Sequence, residues 1–358
     1  GSSGATPAGN CVTNGTAGAG LTVDSCLSVA VRERLRAEYS ARIADGSILQ
    51  LHGGFDPRHY PGEVIASVMA VAQDSDDAAL MLWSQQRLAD IHAALAAHNG
   101  YHMWPDAVDG QPTFGELAQA RLVLSLALIY GATGDVHARE GAVLAFSALD
   151  HMPRLPVTSS ITGARYELPA YAYHDIANPV AISGRTLDPN HDAVLAAAYG
   201  VMSSRVLTDP SQIAGARDRG AHYLAAATDM AFAGRCLPLA DMPEYINACD
   251  TRYNGFWAFM LEIAARAMPQ GNAIRAIDEQ ARFAGPPAEA FQTSRTYPQN
   301  YAGAYPDPVE PLTLMGSVRR TMTSANATLF VDRANALMAT QDMANWPRGN
   351  LYPKFYQR

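Results

Sequence analysis

Lysine is nearly missing from this chain: Lys354 is the only one among 26 basic residues, and the rest are arginines. With that lysine close to the terminus and no GxGxxG or GxxxxGK[ST] run, the familiar phosphate-cradling loops are excluded. Long apolar runs are missing as well. Nothing approaches the roughly 20 residues needed to cross a bilayer, so no membrane span is expected. Charged residues make up only 17%, with a formal net charge of −8, which excludes a general binder of nucleic acid or anionic membranes. His52-Gly53-Gly54 resembles an oxyanion-hole loop, but no GxSxG follows it, which disfavours an α/β-hydrolase. Cysteine is scarce too. Four residues fall into two local pairs, Cys11 with Cys26 and Cys236 with Cys249, and no CxxC or EF-hand pattern accompanies them. No metal or cofactor is therefore expected. Two short-range disulfides are, the second closing a loop worth about 3 kcal/mol in the chain-entropy picture. That pattern places the protein in an oxidising compartment, secreted or periplasmic.

What remains is rich in small apolar residues. Hydrophobic side chains reach 48%, alanine dominates them, and β-branched or aromatic runs are sparse, which favours helices over sheets. Residues 1–26 hold little to bury beyond their cysteines and are expected to form an extended leader pinned by Cys11–Cys26. From there to residue 358 a single helical domain is expected. Periodicity predicts helices over 27–45, 62–73, 76–98, 114–132, 136–150, 188–207, 211–232, 253–268, 271–283 and 311–341. Capped turns such as Ser75-Asp76-Asp77, Thr133-Gly134-Asp135 and Asp209-Pro210-Ser211 separate them.

The connections alternate in length. Short turns fall near 74, 134, 209 and 270, and long segments occupy 46–61, 99–113, 151–187, 233–252 and 284–310. Helical hairpins linked in this way put every long segment at the same end. About five of them would form an all-α, incomplete (α/α) toroid with its long loops on one rim. Long loops inside compact domains are uncommon and often functional.

Those loops are biased in content. They carry Tyr101, His102, Trp104, Tyr171, Tyr173, His174, Tyr245 and Tyr301, and they adjoin Asp188, Asn190, His191, Arg252, Tyr253, Asn254 and Trp257 at helix starts. Planar rings beside amides, carboxylates and guanidinium groups suit a polysaccharide or oligosaccharide substrate. Sugar CH faces stack on Tyr and Trp, and hydroxyls take directed hydrogen bonds. The set Tyr101, His102, Trp104, Tyr171, Tyr173, Asn190, Tyr245, Trp257 and Tyr301 is expected to bind such a chain. In Asp188-Pro189-Asn190-His191-Asp192 the first Asp suits an N-cap and proline the first helical position. His191 then sits in the first turn, where the helix dipole favours a neutral imidazole able to act as a base.

The hairpin Leu126-Ala127-Leu128-Ile129-Tyr130 through Thr133-Gly134-Asp135, and Arg252-Tyr253-Asn254-Gly255 opening a helix, resemble bacterial (α/α)-toroid polysaccharide lyases and glycoside hydrolases. The likeness covers roughly 27–341 and is architectural. It implies β-elimination on a uronate-containing glycan, with His174 or His191 as base, Tyr253 as acid or base, and Arg252 with Asn254 on the uronate carboxylate. Asp188 joins this catalytic set. An inverting glycosidase using two carboxylates among Asp106, Glu167, Asp175, Asp188, Asp192 and Asp250 is the alternative, and it needs a pair about 6.5–9.5 Å apart. A non-catalytic glycan-binding protein is a third possibility, keeping the aromatic platform without a converging acid and base.

Overall fold

A computed structural model describes residues 29–48, 61–105, 110–234, 251–268 and 272–281. These are mostly helical. The helices are α1 (Val29–Ala44), α2 (Pro61–Ser75), α3 (Ala78–Ala97), α4 (Glu116–Thr133), α5 (Val136–His151), α6 (Pro189–Val201), α7 (Pro210–Thr228), α8 (Thr251–Ala267) and α9 (Ala273–Ala281). A five-residue π turn, Met202–Val206, extends α6. The expected helix from 311 to 341 and all four cysteines lie outside the described residues. Among the described residues no helix is long and apolar enough to cross a membrane.

The expected caps explain where the helices begin. Asp77 accepts from the Ala79 and Leu80 amides and also takes the Arg36 guanidinium at 2.8 Å, tying α1 to the α2–α3 turn. Asp135 caps α5 through Ala138, and Asp209 caps α7 through Ser211 and Gln212. α4 ends at Gly134, whose φ of 71° is left-handed and suits glycine. Each cap contributes about 1 kcal/mol and fixes a chain reversal.

Burial divides the helices into two rows. α2 is buried from Gly62 to Ala72, and α4 and α6 are buried almost all round; the α8 core residues Trp257, Ala258, Met260, Leu261, Ile263 and Ala264 continue the row. α3, by contrast, buries only Leu80, Ser84, Leu88 and Leu95, an apolar stripe on an otherwise wet helix. α5 and α7 are similarly one-sided. The inner row packs in the order α2, α4, α6, α8. Small residues permit the close approach: a side chain added at Gly200 of α6 would meet Ala267 and Met268 at 3.0 and 3.3 Å. That contact joins the ends of α6 and α8, so the two run parallel. In the outer row Gly141 of α5 faces Leu95 of α3, and Gly100, just beyond α3, faces Leu144, so α3 and α5 also run parallel.

α2 is locked to α4 by a buried ion pair. Arg121 grips Glu63 with both Nε and Nη2, at 2.5 and 2.6 Å, and the two side chains are 4% and 2% exposed.

The link 151–187 departs from the sequence expectation of plain loop. β3 (Arg154–Thr158) and β4 (Arg165–Pro169) form an antiparallel hairpin registering Arg154 with Pro169 and Thr158 with Arg165. Val157 is buried between exposed Pro156 and Thr158, and Leu168 is buried with Pro169 at the end of β4, a pattern too short to stand out in a helical chain. The hairpin leans on α7. The Tyr166 hydroxyl donates to Asp229 at 2.7 Å, and the Glu167 amide donates to His222 Nε2 at 3.1 Å. Two smaller ribbons complete the links: β1 (Trp104–Pro105) with β2 (Pro112–Thr113), and β5 (Tyr173–His174) with β6 (Val180–Ala181). A single bridge between Phe114 and Tyr173 joins these two links.

Candidate functional site

The starts of α4 and α6 lie side by side where the links 99–115 and 152–188 meet. α4 begins after Gly115, which offers no side-chain cap. A Cβ there would sit 2.7 Å from the Tyr171 carbonyl oxygen and 3.2 Å from the Trp104 ring, so only glycine lets the two links close over the helix start. α6 begins at Asp188, whose carboxylate accepts from the Asn190 and His191 amides, with Pro189 in the first turn as the sequence predicted. Both helix ends project partial positive charge into one place.

Acidic and basic side chains converge there. Glu116 is the first residue of α4 and is fully buried. Its Oε1 accepts from His191 Nδ1 at 2.5 Å, which fixes the tautomer and leaves Nε2 as the nitrogen free to exchange a proton. On its other side the imidazole has Asp188, with Oδ2 3.6 Å from Nε2, a charge contact too long for a hydrogen bond. Arg185 enters with no exposed side-chain surface. It holds Asp192 at 2.5 Å, approaches Glu116 at 3.9 Å, donates to the Pro169 and Thr186 carbonyls, and lies 4.7 Å from the Tyr171 ring centre. Tyr171 presents its ring edge-on to His191 at 5.2 Å and its hydroxyl bonds Thr186.

Three carboxylates therefore share one guanidinium and one imidazole. Burial lowers the His191 pKa, but Asp188 and Glu116 more than offset it and the net shift is upward. This corrects the expectation of a neutral ring set by the helix dipole: two nearby carboxylates outweigh partial charges. Burial pushes the Asp192 carboxyl up to about 7 against the pull of Arg185, with Asp188 and Glu116 adding to the rise. Burial likewise raises the Tyr171 hydroxyl, so it stays protonated at neutral pH. Two buried acceptors, Glu116 Oε2 and Asn190 Oδ1, have no hydrogen-bond partner among the described residues. Unpaired buried acceptors are costly, and sites that retain them commonly receive a ligand group or water.

The residues singled out in the sequence separate into three groups. His191, Asp188, Asn190 and Tyr171 come together, with Trp104 against Gly115 and His102 ring-to-ring with Trp104 at 5.8 Å. His174 lies on the neighbouring ribbon, where its Nε2 pairs with the Thr113 hydroxyl at 3.1 Å. Tyr101, Tyr173 and Trp257 turn inward instead. They are 6%, 0% and 1% exposed, and Trp257 donates to the Ala227 carbonyl while Tyr173 donates to that of Pro153. A sugar ring has no access to such faces, so these three anchor links and helices to the core rather than forming a binding platform. Arg252, Tyr253 and Asn254 open α8, which runs parallel to α6; their side chains, like the whole of Tyr245 and Tyr301, lie outside the described residues. Of the alternative carboxylates, Asp106 and Asp250 also fall outside. Glu167 is exposed on β4, and Asp175 is exposed and bonds the Ala177 and Asn178 amides.

Sequence reasoning missed Glu116 and Arg185. A glutamate in a first helical turn looks like ordinary dipole compensation, and an arginine in Ser183-Gly184-Arg185 carries no pattern at all.

No protein-family model matches this chain, and no curated protein or solved structure similar to it was found.

Proposed function

We propose that this protein is a secreted or periplasmic enzyme of incomplete (α/α)-toroid build that cleaves a uronate-containing polysaccharide by β-elimination, with His191 transferring the proton. The observation that carries the proposal is the Glu116–His191 pair at the joined starts of α4 and α6, buried on the Glu116 side and 23% exposed on the imidazole. A carboxylate bound to Nδ1 orients the ring and strengthens Nε2 as a base. Further support comes from the parallel α6 and α8 and from the two long links, 99–115 and 152–188, that meet at the starts of α4 and α6. The Tyr171 ring lies edge-on to the histidine, and the Trp104 ring packs against Gly115 just before α4.

In the proposed step His191 Nε2 takes the proton on the carbon α to the uronate carboxyl. The released electron pair forms the C4–C5 double bond, the C4–O4 bond breaks, and the departing oxygen takes the proton back from the imidazolium. The ring ends neutral, so no outside reactant is consumed. Two helix N-termini favour the negative charge that develops on the uronate carboxylate. Arg252 and Asn254, at the start of parallel α8, are the proposed groups for neutralising it.

A hydrolytic carboxylate pair fits less well. Glu116 and Asp188 face each other across the His191 ring, so the imidazole fills the space where an inverting enzyme holds its water. The deciding experiment incubates the full chain with pectate, alginate and glycosaminoglycans and follows the ultraviolet band of the unsaturated uronate together with reducing ends. Elimination produces both signals. Reducing ends without the band overturn the proposal in favour of hydrolysis, and binding with neither signal overturns it in favour of a glycan-binding protein.

A further inference from the structure

A second group of ligand-type side chains lies on the outer row, on two helices that contribute nothing to the His191 cluster. His92 is on α3, and His137 and Glu140 are on α5. Residues three apart share a helix face, so His137 and Glu140 point the same way. Gly141 permits the approach to α3: a side chain there would meet Leu126 and Leu95 at 3.2 and 3.6 Å and the His92 backbone at 3.9 Å. The close packing sets His92 against His137.

The donor atoms are spaced like ligands. His92 Nδ1 is 3.2 Å from His137 Nδ1 and 3.5 Å from Glu140 Oε2, and all three donors lie within 4.8 Å of one another. For zinc held at about 2.0–2.1 Å, neighbouring ligands of a tetrahedron stand about 3.3–3.4 Å apart. Two imidazoles meeting Nδ1 to Nδ1 either share one proton or share a cation, and the carboxylate beside them supplies the negative charge a divalent cation needs. The His92 side chain is 23% exposed and that of Glu140 48%, so solvent has access to a fourth position. Two histidines and one carboxylate form the N/O donor set suited to Zn²⁺ and its first-row neighbours rather than to Ca²⁺ or Mg²⁺.

We propose that His92, His137 and Glu140 bind a zinc-class divalent cation that clips α3 to α5, with water completing the coordination. Sequence patterns could not reveal it, because the ligands come from two helices 45 positions apart and include no HxxxH pair. The proposal stands independently of the elimination chemistry.

The test uses the full chain, stripped with a chelator and then titrated with Zn²⁺ by calorimetry and with Co²⁺ by its visible absorption. One equivalent is expected to bind with Kd tighter than about 10 µM, and Zn²⁺ is expected to raise the unfolding temperature. His92→Ala and His137→Ala should each weaken binding at least about tenfold, Glu140→Gln less, and His191→Asn not at all. The three outer-row substitutions leave the core intact, and circular dichroism checks this. His137→Gln replaces any alanine variant that fails to fold. Absence of binding to the wild-type chain, or wild-type affinity in the His92 and His137 variants, overturns the site.

Discussion

Two buried arginine side chains, Arg121 on α4 and Arg185 in the link before α6, meet acidic partners in different ways. Arg121 matches the Glu63 carboxylate bidentately, through Nε and Nη2, and so ties α2 to α4. Arg185 faces Asp192 and Glu116 with Asp188 nearby, and the positive charge is spread too thinly. The first arrangement is a lock. In the second, burial raises Asp192 despite Arg185, while Asp188 and Glu116 raise His191 against the cost of its own burial. A buried charge group that is balanced fixes structure, and one that is short of positive charge holds exchangeable protons, as acid–base chemistry requires.

The largest expected contrast is in activity. His191→Asn should lower elimination about 10²–10⁴-fold, the usual contribution of a positioned acid–base group, while the unfolding midpoint moves little. Initial rates on the best substrate from the polysaccharide screen, set beside a denaturant curve, check both halves. The lock should show the reverse. Glu63→Gln removes the carboxylate that Arg121 grips and should cost about 3–5 kcal/mol, whereas joint replacement of both residues by apolar ones should cost less. Urea unfolding of the single and double variants tests this. If the single changes cost under about 1 kcal/mol, the pair is not a lock.

The pH dependence of stability sharpens the comparison further. With the folded Asp192 pKa near 7 and its ordinary value at 3.8, the folded state holds the extra proton between those values. Stability should therefore fall as pH rises from about 4 to 7, by up to about 4 kcal/mol from this group. His191 acts in the same direction: its raised pKa contributes stability that is complete below 6.5 and lost as pH climbs through the folded value. Asp192→Asn should flatten most of that slope, and thermal unfolding across the range measures it. The smallest effect concerns Glu116→Gln. Removing its charge lowers the His191 pKa, so the limb on which activity rises with pH should move to lower pH, alongside a drop in maximal rate.

Most helices were legible in the sequence because caps and apolar stripes are local signals. Asp77, Asp135, Asp188 and Asp209 each cap where expected. The β3–β4 hairpin was not legible, since Arg-Leu-Pro-Val-Thr and Arg-Tyr-Glu-Leu-Pro are short and carry prolines. The site was half legible. His191, Asp188, Asn190 and Tyr171 belong to dense polar runs, but Glu116 lies 75 positions from His191 and becomes its partner only through tertiary packing. Aromatic content alone did not distinguish Tyr171, beside His191, from Tyr173, two residues on and wholly buried. Tyr173 is held inward by the ribbon with Ala181 and by the Phe114 bridge from another link, whereas Tyr171 precedes that ribbon.

The most direct measurement is an NMR titration of the His191 imidazole in the wild-type chain and in Glu116→Gln. A midpoint above 6.5 that drops when the carboxylate is removed, with Nδ1 carrying the proton in the neutral ring, is the predicted result. A midpoint at or below 6.5, unchanged by the substitution, would contradict a proton-holding centre at the start of α6.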